Sequence, residues 1–194
     1  MASLTSLSVT ELLDAFASSA PTPGGGSAAA LSGAVGASLL AMVAALPKTK
    51  TGDARERELL DASASALNEI RRRLADLIDE DTRAYDLVTA AYKSPKTTDE
   101  EKAARKSAIQ AALKAATDAP LQTMRACEAA LNHAKVVADN GNPNAASDVF
   151  VGIEMLRAGL RGAEKNVAIN LDSLTDESYR QQVAEEARRL VESV

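Results

Sequence analysis

Apolar residues recur every three or four positions along almost the whole chain, and no stretch alternates as a half-buried strand would. The pattern predicts a short amphipathic helix over Glu11–Ser18, beginning at Thr10, and then an uncharged helix over Ala28–Leu46. A long helix follows from an Asp53 cap to about Tyr92, closed by Ser94-Pro95. Thr98 and Glu101 form a capping box for the next helix, which runs to about Asp139 with a kink or split expected at Pro120. After the break at Asn140-Gly141-Asn142-Pro143 come helices over roughly Ala145–Leu171 and Glu177–Ser193. With no clear internal repeat, these segments predict one all-α domain over residues 1–194. It is a helical bundle of about five or six helices with long central ones.

The uncharged segment has an unusual start. Pro21 and Pro23 stiffen the approach, Gly24, Gly25 and Gly26 permit a tight turn, and Ser27 stands where an N-cap hydroxyl would take up an orphan amide. A helix N-terminus behind a glycine loop favours anions. Gly33, Gly36, Ala37 and Ala41 then follow at helical spacing, which predicts another helix in close approach, near the two-fold axis of a dimer. The run approaches membrane-spanning length, but it is rich in Ala, Gly and Ser, and the segment before it carries Glu11 and Asp14 with no basic start. A buried central helix in a cytoplasmic protein is therefore expected, with no membrane partner.

Composition narrows the chemistry. There are five aromatic residues and no Trp, against a helix-rich, Ala-dominated background. The net charge is −5 with no basic block, which argues against nucleic acid. One Cys and one His leave neither a disulfide framework nor an ordinary zinc set, so no metal or other cofactor is expected.

Two places carry candidate chemistry. The apolar stripe of the long helix reads Leu67, Ile70, Leu74, Leu77, Asp81, Tyr85, Val88, Tyr92, and Asp81 lies within about 20° of Ile70 and Leu74 on the helical wheel. A carboxylate on a buried face must be paired, seated on a helix N-terminus or lining a cavity, and burial raises its pKa towards the range of proton transfer. The second place is Gly141–Asp148. Asn144 is the expected N-cap there, with Ser147 and Asp148 in the first turn, where capping alone would account for all three. One face of the following helix reads Asp148, Gly152, Met155, Gly159, Gly162, Asn166, Asn170. Three glycines on a face, at about 1 kcal/mol each against Ala, point to a ligand or another backbone pressed against it.

These stretches, PTPGGGSAAALSGAVGA, DEDTRAYD, SPKTTDEEKAARKSAIQAAL, ATDAPL, GNPNAASD and NVAINL, occur in order over about Val9–Val191. Together they resemble the cyclodeaminase/cyclohydrolase family, which comprises the cyclodeaminase half of formiminotransferase-cyclodeaminase and stand-alone methenyltetrahydrofolate cyclohydrolases. The resemblance implies an all-α homodimer acting on a tetrahydrofolate without a metal. Either formimidoyltetrahydrofolate closes to the methenyl form with loss of ammonia, or the methenyl bridge is hydrolysed. The absence of an attached formiminotransferase half leans towards hydrolysis. The family motifs place substrate contacts on Gly24, Gly25, Gly26, Ser27, Tyr85, Lys96, Arg105, Asn144, Ser147, Asn166 and Asn170, with Asp81 and Asp148 as the catalytic candidates. Of these Asp81 is the expected proton-transfer group, and Lys50, Lys96 and Arg105 are candidate contacts for the folate's glutamate tail.

One segment departs from the family. Where it typically reads Asn-Leu-Thr, a Gly-Lys-Lys run and Tyr, this chain has Ala45, Leu46, Pro47 and, further on, Asp53, with Lys50 on a lysine position. That departure sets the alternatives to an active enzyme: a catalytically weakened folate-binding or channelling subunit, or a structural helical dimer.

Overall fold

A computed structural model describes residues 3–194, and they form six α-helices. These are α1 (Val9–Ala17), α2 (Gly25–Ala44), α3 (Ala54–Lys93), α4 (Asp99–Asn140), α5 (Ala146–Asp172) and α6 (Glu177–Glu192), with 3₁₀ turns at Leu4–Ser6 and Pro143–Ala145. No strand occurs among the described residues. α2 is the axis of the bundle, flanked by α3, α4 and α5. By length and composition it could cross a membrane, yet 56% of its most apolar stretch is buried within the bundle.

The small residues of α2 are consumed inside the chain. A Cβ on Gly36 would meet the Gly152 carbonyl at 2.6 Å, and one on Gly159 would meet the Ala29 carbonyl at 2.8 Å. Gly33 faces Cys127 of α4 and Leu74 of α3. The close approach expected of this stripe is therefore with α5, α3 and α4, and the stripe is too deep to lie on a two-fold axis. Successive contacts pair Gly25 with Asn166, Gly33 with Gly159, Gly36 with Gly152 and Val43 with Gly141. α2 and α5 are thus antiparallel.

Several local expectations are corrected. α1 begins at Val9 rather than Thr10, capped by Ser8 in a capping box with Glu11. Gly24, not Ser27, is the N-cap of α2. Asn142, not Asn144, supplies the cap before α5, its side chain accepting from the Asn144 amide at 3.0 Å. Pro120 does not split α4, which runs unbroken through it. The missing Pro120 N–H would have bonded the Ala116 carbonyl, and the Asn170 side-chain amide donates there instead, at 2.7 Å.

Candidate active site

The N-terminus of α2 ends against α3. The Ser27 backbone N–H donates to Asp81 Oδ2 at 2.8 Å, and Ser27 Oγ lies 3.0 Å from the same oxygen and 2.8 Å from the Ile78 carbonyl. A hydroxyl has one proton, so these two contacts cannot both be Ser27 donations. With Asp81 ionised, the Ser27 hydroxyl can turn to it; with Asp81 protonated, the acid can donate to Ser27 Oγ while that hydroxyl donates to Ile78. The seat therefore accommodates both protonation states. Desolvation by burial pushes the Asp81 carboxyl above its ordinary value, against the lowering effect of the two Ser27 contacts.

Above Asp81 opens a cavity of about 310 Å³. Pro21, Thr22 and Gly24–Gly26 form one wall; Tyr85 and Val88 of α3, Leu113 and Ala116 of α4, and Asn166, Ile169 and Asn170 of α5 form the others. Asn166 donates its amide to the Gly162 carbonyl at 2.9 Å, and Asn170 donates to Ala116. Neither side-chain carbonyl oxygen has a partner among the described residues, so both are left to accept. The first amides of α2 supply donors from the opposite wall. The cavity can thus hold a flat polar heterocycle, reading donors and acceptors on its edges beside one proton-holding group.

Eight of the expected site residues meet here: Gly24, Gly25, Gly26, Ser27, Asp81, Tyr85, Asn166 and Asn170. Four do not. Asn144, Ser147 and Asp148 lie at the opposite end of α5, and Lys50 is held there by its backbone, which donates to the Asn140 carbonyl at 2.9 Å. The 18 residues from Asp148 to Asn166 span about 27 Å of helix. Lys96 is exposed on the α3–α4 connection. Arg105 donates to the Tyr92 carbonyl at 3.0 Å and stacks over the Tyr92 ring, which occupies its guanidinium locally. Val88, Leu113 and Ile169 were missed as cavity walls. Val88 was legible on the Asp81 stripe, whereas Leu113 and Ile169 looked like ordinary core and surface positions.

The departing segment has a structural role of its own. Glu56 accepts from Thr49 Oγ1 (2.6 Å), the Thr51 amide (2.9 Å), Thr51 Oγ1 (3.0 Å) and the Gly52 amide (3.2 Å). These bonds hold its carboxyl down to about 2. Arg57 donates to the Ala44 and Leu46 carbonyls and closes the end of α2. Among the described residues no group of three or more His, Cys, Asp or Glu side chains is placed to hold a metal ion.

Comparison with known proteins gives the chain's family and fold. The formiminotransferase-cyclodeaminase family profile matches residues 8–189, and the chain belongs to that family. It is 44% identical over 183 residues to a methenyltetrahydrofolate cyclohydrolase of Methylorubrum extorquens, covering 92% of this chain and 86% of that protein. It is 35% identical over 174 residues to the formimidoyltransferase-cyclodeaminase of Gallus gallus, covering 88% of this chain and 31% of that longer protein. The crystal structure of a formiminotetrahydrofolate cyclodeaminase from Thermotoga maritima superposes with a TM-score of 0.86 at 30% identity, over 97% of this chain and 90% of that one.

Proposed function

We propose that this protein is an enzyme of tetrahydrofolate one-carbon metabolism that opens or closes the carbon bridge between the two folate nitrogens, and that hydrolysis of methenyltetrahydrofolate is its principal reaction. The observation that carries the reading is Asp81, a carboxyl raised by burial, seated on a helix N-terminus at the floor of a cavity of heterocycle size. Similarity along most of its length to a stand-alone cyclohydrolase supports the direction of the reaction. Water adds to the cationic bridge carbon and loses a proton, which Asp81 accepts. The adduct then breaks one carbon–nitrogen bond, leaving a formyl group on the other nitrogen and a proton on the one released. In the ammonia-forming direction the same carboxyl would donate to the departing nitrogen. Neither route calls for a metal or a separate cofactor.

We further infer a homodimer working in the cytoplasm. α2 carries no charge along its 20 residues, and its outer face leaves Val35 and Met42 exposed. Incubation with methenyltetrahydrofolate and, separately, formimidoyltetrahydrofolate tests the activity. Loss of the methenyl chromophore in the first without ammonia is expected. Ammonia release with appearance of the chromophore in the second would assign the cyclodeaminase direction, and no change in either would overturn the reading.

A further inference from the structure

Pro120 lies buried in the middle of α4, where a helix tolerates proline least. It has no N–H to give the Ala116 carbonyl one turn earlier. Ala116 borders the Asp81 cavity, and its carbonyl receives the Asn170 side-chain amide at 2.7 Å. A backbone carbonyl can only accept, so the end of the Asn170 amide that meets it must be the nitrogen. The oxygen is thereby turned the other way. It has no partner among the described residues, although Asn170 lines the cavity.

The chain just beyond Asn170 is tied to the same helix. Gln110 of α4 donates from Nε2 to the Ser173 carbonyl at 3.2 Å. Its Oε1 accepts from the Thr175 amide at 2.8 Å and from Thr175 Oγ1 at 3.0 Å. α4 therefore holds Asn170 twice, through the end of α5 and through the side chain itself. Any other residue at position 120 would bring a backbone N–H to the Ala116 carbonyl. The Asn170 amide would then have to share that carbonyl, and nothing would fix which of its two ends faces the cavity.

We propose that Pro120 is a positioning residue for substrate binding: by leaving the Ala116 carbonyl to Asn170, it fixes the Asn170 oxygen as an acceptor for an N–H donor on the edge of the bound heterocycle. The inference deepens the folate reading and rests on it for the substrate. There the donor belongs to the 2-amino group or the neighbouring ring N–H of the pyrimidine. That edge is remote from the carbon bridge and does not change during the reaction. The contact therefore strengthens binding without altering the chemical step.

Steady-state kinetics with methenyltetrahydrofolate test it. Pro120→Ala restores the N–H and suits the helix, so it should raise KM about tenfold with kcat within about twofold of wild type. Pro120→Val, which fills the space of the ring, should behave alike. Asn170→Ala should raise KM at least as much. The Pro120→Ala/Asn170→Ala protein should then be no worse than Asn170→Ala alone, because the proline acts only through the asparagine. A wild-type KM in both position-120 variants, or single effects that multiply in the double variant, would overturn the proposal. Side-chain NMR reads the same geometry without any folate. The Asn170 NH₂ pair, assigned by its loss in Asn170→Ala, should exchange about tenfold faster in Pro120→Ala than in wild type. Equal exchange in the two proteins sinks the proposal whatever the kinetics give. Faster exchange in the variant, with no folate turnover by the wild type, faults the folate reading alone.

Discussion

A Cβ on Gly26 would sit 2.5 Å from the Asp81 Cγ, so the end of α2 and the carboxyl group can meet only while position 26 carries no side chain. Gly26→Ala should push the carboxyl off Ser27, costing about 1–3 kcal/mol of stability and about 10²-fold in turnover. Thermal melting and single-turnover kinetics check both, and an alanine variant with wild-type turnover would detach Asp81's seat from the chemistry. Asp81→Asn keeps the shape and removes the basicity. Turnover should fall about 10²-fold or more while the fold survives. The pH dependence has a definite sign. A carboxyl raised above its usual value of 3.8 favours the folded state below that value and loses this contribution as pH climbs through its folded pKa. Ionised Asp81 therefore weakens the fold at neutral pH. The asparagine variant should melt no lower than wild type there, and any advantage should shrink as the solution is acidified.

At the scale of elements, the Thr49–Gly52 loop is organised by one acid. Because the loop's bonds hold Glu56 at about 2, well below its usual 4.5, its contribution is present above 4.5 and is lost as pH falls towards 2. Amide exchange at Thr51 and Gly52 should rise over that window, and Glu56→Gln should show raised exchange already at pH 7. An unchanged pH profile in the variant's loop would show that the latch is not Glu56. Most elements were legible in the sequence because their ends carry local chemistry: the Asp53 cap, the Thr98/Glu101 box and the break at Gly141 all stand as read. The misses share a cause, which is that a partner from far along the chain displaced the local rule. Ser27 gave up capping for Asp81, 54 residues on. Pro120 stayed inside its helix because Asn170, 50 residues later, bonds the carbonyl it leaves free. Asn142 took the cap from Asn144 within two residues, a choice the sequence leaves open.

At the scale of the whole molecule, the helical class, the central position of α2 and eight residues at the Asp81 cavity could be read from periodicity and motif. The distance of Asn144, Ser147 and Asp148 from Asn166 was already implied by one helix over Ala145–Leu171, but which end of that helix meets Asp81 was not, because motif order carries no information about which end of a helix faces which. Only the antiparallel pairing of α2 with α5 reveals it. That pairing is made by backbones in contact at Gly36 with Gly152 and at Gly159 with Ala29, where no rotamer can change to relieve strain or let the helices slide. α2 should therefore be the last part of the chain to open. In native-state hydrogen–deuterium exchange its amides from Ala29 to Val43 should be the slowest and should report global unfolding, while α1, which buries no residue, exchanges first. Fast exchange in the middle of α2 would contradict this. The seat of Asp81 is built on the end of that slow helix, so the chemistry is anchored to the part of the protein that keeps its shape longest.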